Sequence, residues 1–368
     1  MQRRQVALFL PSLAGGGAER MMLNLAGGLY AAGERVDLVL AQRFGEYVDE
    51  VPEGVRVVDL GAKRVLGAVP SLARYLGRER PRSILSALDH ANIAAILARR
   101  MAASPSRLFV SVHNTLSVEA QRSHRLRDHM LPMLARRFYP GASAVVAVSR
   151  GVAEDLVQRV GIPRGRVKVI YNAVVTPELQ RQATQSSGHP WLAEGQPPVI
   201  LAAGRLIPSK GFATLIDAFA RARQGCAARL LILGEGPERA RLESLARGST
   251  ARADIALPGF VSNPFSYMRE AGLFVLASTS EGLPAVLIEA LACGTPVVST
   301  DCRSGPAEIL DNGRHGTLVP VGDVEALASA MVAALERPKD PGLLRARADE
   351  FALPAITNQY LALMSSPS

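Results

Sequence analysis

Short apolar runs rich in Val, Ile, Leu and Ala recur at residues 6–10, 35–41, 55–60, 83–86, 108–112, 144–148 and 167–170, with helical spacing of apolar residues between them. Runs this short, without polar alternation, fit strands buried on both faces, and their alternation with helices predicts a parallel, doubly wound sheet. From 183 to 198 the chain turns polar and rich in Gly, Pro, Ser and Gln, with no period, which predicts a linker. The strand pattern restarts at 199–203, 229–233, 273–277 and 297–300, with helices expected near 211–223, 237–247 and 284–293. The expectation is an α/β protein of two Rossmann-like doubly wound domains facing across a cleft, one over residues 1–187 and one over 188–350. A last helix, within 351–368, comes after the second domain is complete and is free to cross back to the first.

Composition sharpens this picture. A chain of 368 residues, 48% apolar, is long enough for two cores. Its three cysteines, Cys226, Cys293 and Cys302, are odd in number and unpatterned, so neither a disulfide framework nor a zinc knuckle is expected, and a reducing compartment fits. The apolar run 6–10 is shorter than a signal-peptide core, and later apolar stretches are cut by charges well short of a membrane span. Of the formal +9, residues 1–187 carry 26 Lys and Arg against 15 Asp and Glu, while the rest carry 16 against 18. That asymmetry points to an anionic surface facing the first half, either nucleic acid or lipid headgroups. Nucleic acid is disfavoured because the basic half lacks interleaved aromatics.

The first candidate chemistry follows the first strand, at Gly15-Gly16-Gly17-Ala18-Glu19-Arg20. As a dinucleotide fingerprint it fails, because Arg20 stands where the third glycine belongs and no acidic residue ends the second strand. It keeps a backbone without Cβ atoms at a helix N-terminus, suited to a phosphate; a tight turn is the alternative, but one glycine would suffice for that, so an anion site is favoured. In the second half, Gly204-Arg205-Leu206-Ile207-Pro208-Ser209-Lys210-Gly211 sets Arg205 and Lys210 in a strand-to-helix loop. Lys210 is one of only four lysines in an arginine-rich chain, which suggests that a compact ammonium is wanted there. Residues 280–294, SEGLPAVLIEALACG, predict a short helix between Pro284, suited to its first position, and a capping Gly294. Glu281 then lies in the loop before that helix and Glu289 within it, on an apolar element where a carboxylate is costly unless bound. For Glu289 an internal ion pair or a half-exposed face is the alternative, and ligand binding is favoured over it because the helix is so apolar on both sides; for Glu281 alone a solvated loop reads as well.

Taken together, the Glu-x7-Glu spacing of Glu281 and Glu289, with Gly204-Arg205-Leu206, Lys210-Gly211, Leu233-Gly234-Glu235-Gly236 and Cys293-Gly294-Thr295-Pro296-Val297-Val298, closely resembles the family-4 retaining glycosyltransferases of GT-B fold. Residues 304–310, SGPAEIL, and the early Gly-Gly-Ala-Glu resemble the bacterial branch that builds lipid-linked oligosaccharides and surface polysaccharides. The resemblance implies transfer of a hexose or N-acetylhexosamine from a nucleotide diphosphate sugar, UDP-linked first, with GDP-mannose second. It implies Arg205 and Lys210 on the diphosphate, Glu281 on the sugar hydroxyls and Glu289 on the ribose, with Gly16 and Gly17 approaching the diphosphate. His113 matches a position near the anomeric side of the transferred sugar, although a satisfied strand-end histidine reads as well. Gly204, Gly234, Gly259, Phe260, Gly282, Leu283 and Pro284 complete the implied donor contacts. Retention, by front-face attack assisted by the donor phosphate, is carried by the resemblance alone. No Asp-x-Asp occurs, so neither a bridging metal nor any other cofactor is expected.

Two other readings stay open, a nucleotide-sugar epimerase of GT-B fold and a non-catalytic sugar-nucleotide-binding subunit. The intact Arg205, Lys210, Glu281 and Glu289 argue against the second. Residues 121–138 carry Leu126, Met130, Met133, Leu134 and Phe138 at helical spacing beside Arg122, Arg125, Arg127, Arg136 and Arg137, with Pro132 expected to bend the element. Residues 63–82 carry Lys63, Arg64 and the basic run 74–82 with Val65, Leu66, Leu72, Tyr75 and Leu76. Each alone reads as a core-facing helix with a basic outer side. Together, in a chain resembling enzymes that use lipid-linked acceptors, they predict a cytoplasmic protein docked on the anionic inner face of the cell membrane.

Overall fold

The structure, a computed structural model, describes residues 5–122 and 126–366, and the side chains of residues 122–127 lie outside that description. The chain forms two compact units, Met1–Val174 with Leu353–Ser368, and Val175–Ala352.

Unit 1 alternates strand and helix: β1 (Gln5–Leu10), α1 (Gly17–Ala31), β2 (Arg35–Leu40), β3 (Arg56–Asp59), α2 (Val69–Glu79), β4 (Ser83–Ala87), α3 (Asp89–Met101), β5 (Arg107–Val112), α4 (Leu116–Arg122), α5 (Leu126–Phe138), β6 (Ala144–Ala147), α6 (Arg150–Glu154) and β7 (Val167–Val169). The strands are parallel, in the order β3-β2-β1-β4-β5-β6-β7. The order reverses between β1 and β4, so the loops at their C-terminal ends diverge and leave room for a ligand. Val6, Leu8 and Leu10 of β1 pack against Met22, Leu25 and Leu29 of α1. All six are essentially removed from water, and each contributes roughly 1.5–3 kcal/mol.

Unit 2 repeats the plan with α7 (Pro177–Ala183), β8 (Val199–Ala203), α8 (Phe212–Ala222), β9 (Arg229–Leu233), α9 (Arg239–Gly248), β10 (Ile255–Gly259), α10 (Pro264–Glu270), β11 (Leu273–Leu276), α11 (Ala285–Cys293), β12 (Val297–Thr300), α12 (Pro306–Ile309), β13 (Thr317–Val319), α13 (Val324–Glu336) and α14 (Pro341–Ala348). Its sheet is again parallel, in the order β10-β9-β8-β11-β12-β13, with the reversal between β8 and β11. The chain then returns to unit 1 as α15 (Leu353–Ser365), which places Ile356, Tyr360 and Met364 in the core around β1. Gly28 of α1 permits this packing, since a Cβ there would lie 2.3 Å from Thr357 Oγ1.

The boundary expected at 187/188 falls instead at 174/175. The polar stretch 183–198 is not a linker but a surface segment of unit 2. Asn263 Nδ2 donates to the Gln182 carbonyl at 3.0 Å, the Ser187 amide to Glu270 Oε1 at 3.2 Å, and the Arg229 guanidinium lies 5.0 Å from the Trp191 ring. The crossing itself is apolar and paired, with Val175 N–H donating to the Phe351 carbonyl at 3.2 Å beside a parallel bridge to Ala352. Polarity therefore marked the surface rather than the joint.

Candidate functional site

In unit 2 the loops after β8, β9 and β10 are tied together by their own backbones. Gly204 N–H donates to Leu233 O at 3.0 Å, Leu206 N–H to Glu235 O at 2.8 Å, and Gly234 N–H to Gly259 O at 2.8 Å. Gly234 is required by this closeness, because at φ +130° a Cβ would sit 2.0 Å from the Gly204 carbonyl oxygen. The Arg205–Lys210 loop thus stands on a rigid floor at the switch point of the sheet.

Lys210 and Glu281 come together there. Lys210 Nζ lies 2.6 Å from Glu281 Oε1, with the two side chains only 23% and 11% exposed. Ser278 Oγ donates to the same oxygen at 2.6 Å. Thr300 Oγ1 in turn donates to Ser278 O at 2.6 Å, so the end of β12 holds the loop after β11 that supports the carboxylate. Removing two charges from water is costly unless they are paired and hydrogen-bonded, and both conditions are met. Burial, then the Glu281 charge, push the nearby Cys302 thiol up to about 12, so the neighbouring cysteine stays a neutral thiol.

Arg205, in the same loop, is exposed and has no ion-pair partner among the described residues. Gly282, Leu283 and Pro284 are buried ahead of α11, and Ser304 Oγ holds the Gly282 carbonyl at 2.9 Å. Pro284 caps α11 from outside rather than occupying its first turn, while Gly294 ends it at φ +82°. Glu289 lies half-buried on α11 between Ile288 and Ala290, both 0% exposed. Phe260, next to Gly259, is 74% exposed.

In unit 1, Gly15 takes φ +92° and Gly16 caps α1. Gly17 is the first helical residue, with open space where a Cβ would be, whereas the corresponding space at Gly16 is filled. That space holds a carboxylate, since Glu19 Oε2 lies 2.2 Å from where a Gly16 Cβ would be. Burial raises the Glu19 pKa, and a bond from its own amide offsets part of that rise. Arg20 is engaged with Glu50 at 3.0 Å and stacks 3.9 Å from the Tyr47 ring centroid.

His113 follows β5 and lines a small pocket with Met21, Met22, Leu25, Asn172 and Tyr360. Burial lowers its pKa to about 4, so the ring is neutral near pH 7. Ser111 Oγ is 3.1 Å from His113 Nε2, and Tyr360 of α15 lines the same pocket. Ser111 and Tyr360 were not foreseen, and Tyr360 reaches the pocket only by the return of α15.

The basic segments resolve differently from one another. Leu72, Tyr75 and Leu76 are buried by α2 in the core of unit 1, so the 63–82 segment is no interfacial helix; Lys63, Arg64 and Leu66 remain exposed. On α5, Met130 and Met133 are 44% and 61% exposed beside exposed Arg136 and Arg137. Arg125 and the side chains of Arg122, Leu126 and Arg127 lie outside the described residues. Among the described residues no helix is long and apolar enough to cross a membrane, and no group of three or more His, Cys, Asp or Glu is placed to hold a metal ion.

Residues 197–337 match the family described as Glycosyl transferases group 1, and residues 15–177 match Glycosyltransferase Family 4. The chain is 32% identical over 252 residues to the N-acetylgalactosamine-N,N'-diacetylbacillosaminyl-diphospho-undecaprenol 4-alpha-N-acetylgalactosaminyltransferase of Campylobacter jejuni, an alignment covering 68% of this chain and 66% of that protein. It spans less than two thirds of that relative's length, and 20% and 50% of two others. The lipopolysaccharide core biosynthesis glycosyltransferase LpsD of Rhizobium meliloti is 27% identical over 95% of this chain and 94% of its own. Among solved structures, Anabaena HepE in complex with UDP and glucose matches with a TM-score of 0.80 at 22% identity, covering 99% of this chain and all of that one.

Proposed function

The chain belongs to the family-4 glycosyltransferases of GT-B fold, and on that premise we propose that it is a retaining transferase moving a hexose or N-acetylhexosamine from a nucleotide diphosphate sugar, UDP-linked first, to a lipid-linked or polysaccharide acceptor. The observation that carries the reading is the Lys210–Glu281 pair beside the unpaired Arg205. Breaking a sugar–phosphate bond leaves an oxocarbenium-like carbon and a nucleoside diphosphate of growing negative charge. Lys210 and Arg205 are the cations for that charge, and Glu281 holds the ammonium in place and offers acceptor oxygens to sugar hydroxyls. Glu289 serves the ribose hydroxyls. The name of the Campylobacter relative specifies a diphospho-undecaprenol-linked acceptor, and HepE was crystallised with UDP and glucose; both support the substrate classes proposed.

A donor screen by thermal melting tests this. A specific donor at 100 times its Kd stabilises by about 2.7 kcal/mol, and the donor that does so should support transfer to a lipid-linked acceptor. If neither UDP-sugars nor GDP-mannose shifts the melt, the assignment fails.

The reaction needs no metal in this reading, because the leaving charge is met by side-chain cations. Transfer should persist in EDTA with at most a modest loss. Abolition by EDTA and recovery with manganese or magnesium would show the phosphate chemistry to be misplaced.

Peripheral attachment to the anionic inner face of the cell membrane belongs to the same proposal, now resting on the outer side of α5. Each Lys or Arg at such a surface is worth about 1 kcal/mol. Binding to liposomes containing phosphatidylserine or phosphatidylglycerol should fall steeply with salt, and Gln at Arg122, Arg125, Arg136 and Arg137 should weaken it while donor binding persists. Liposome binding indifferent to salt and to these substitutions would refute the docking.

A further inference from the structure

At the far end of α11 from Glu281, about 13 Å along the nine-residue helix, lies a second polar hollow. A pocket of about 270 Å³ opens there, lined by Val175, Gln180, Arg269, Cys293, Arg345 and Asp349 among others. Arg269 stands on the last turn of α10 and Arg345 on α14. Arg345 Nη2 donates to the Cys293 carbonyl at 3.3 Å, and a Cβ on Gly294 would lie 2.7 Å from the same nitrogen. The α11 terminus therefore anchors this guanidinium at the pocket rim.

Both guanidinium groups line this pocket beside Cys293. Burial and the Glu289 charge push the Cys293 thiol up to about 12, and Arg269 and Arg345 both pull against that rise. Among the described residues neither arginine is in ion-pair contact with a carboxylate, and Asp349 pairs with neither although it shares the wall. Two guanidinium groups that line one open space, neither paired with a carboxylate, suit the oxygens of a tetrahedral oxyanion, to which arginine bonds in pairs.

We propose that this pocket binds a phosphate group, clamped by Arg269 and Arg345, at a site separate from the Arg205–Lys210 loop. Gln180 and Asp349 stand ready for hydroxyls, which would favour a phosphate ester of a polyol over free phosphate. Val175 on the same wall is hydrogen-bonded to Phe351, so the ligand sits against the paired segments by which the chain enters and leaves unit 2.

The test is titration of the full chain with inorganic phosphate and with glucose 6-phosphate at fixed ionic strength set by chloride, followed by melting and calorimetry. A saturable shift is expected, weakened about tenfold or more in Arg269→Gln and retained in Lys210→Gln. Arg269 is the informative position, since Arg345 also caps α11 and its loss could unfold the helix end. Tighter binding of glucose 6-phosphate would identify an ester site, and equal binding a phosphate site. No saturable shift, a shift untouched by Arg269→Gln, or one abolished by Lys210→Gln would each overturn the proposal. A shift abolished by Lys210→Gln would place the phosphate at the donor loop, overturning this site while leaving the donor assignment standing, so the two readings fail separately.

Discussion

Lys210→Ala should cut turnover by about two to three powers of ten, a barrier increase of about 2.7–4 kcal/mol, while leaving donor KM within a few-fold. The asymmetry follows from when the charge appears, since the bridging phosphate oxygen gains most of its negative charge only as the sugar departs. Lys210 is held 2.6 Å from Glu281, so its ammonium is already in place when that charge develops. Removing it also leaves a poorly exposed Glu281 supported by Ser278 alone, so melting must be measured beside kcat and KM. Arg205→Ala should show a comparable fall in kcat with an unchanged melt, because Arg205 is exposed and holds nothing in the fold. Glu289→Gln should instead raise donor KM. Small and equal effects in all three variants would refute the division of roles.

Much of this site was legible because it is local in sequence. Arg205, Lys210 and Glu281 each sit at a strand-to-helix transition, with Glu289 on the helix that follows Glu281, and the order of the strands in a doubly wound sheet brings those transitions to one edge. What escaped was non-local. Ser278 reads as an ordinary serine until the Glu281 side chain turns back onto it, and Tyr360 lies 247 positions beyond the His113 whose pocket it lines. The boundary was misplaced for a related reason: polarity reports exposure, and a segment hydrogen-bonded across the surface of unit 2 is as exposed as a linker. The core-facing side of α2 shows the same limit, since its basic outer side and its apolar Leu72 and Leu76 suit a membrane surface as well as a domain core until burial decides.

The largest loss of stability is expected at Asp37, an acid in the otherwise apolar strand β2. It is 0% exposed and accepts from Gln5 Nε2 at 2.6 Å, Tyr75 Oη at 2.6 Å and Arg56 Nε at 2.9 Å. Arg56 reaches on to Glu79 at 3.1 Å. Asp37→Ala leaves the buried Tyr75 hydroxyl and the Gln5 amide without their acceptor and should cost about 1–3 kcal/mol, the scale for a buried donor left unsatisfied, while Arg56, 41% exposed, keeps Glu79 and water. Its acidity gives a second, independent reading. Burial alone would raise the Asp37 pKa, but the hydrogen bonds from Arg56, Tyr75 and Gln5 and the Arg56 charge outweigh it, and the folded value lies below the ordinary one. The unfolded chain, with its carboxyl near about 3.9, therefore binds the proton first as pH falls. The contribution is complete above that pH and drains away between the unfolded and the lower folded value. Denaturant titrations of the parent chain and Asp37→Asn, repeated from neutrality down to about pH 3, should show a stability gap that is constant above about pH 5 and narrows below it. A gap that stays constant through the acid range would mean that the carboxylate's charge is not what the Arg56 and Tyr75 contacts hold.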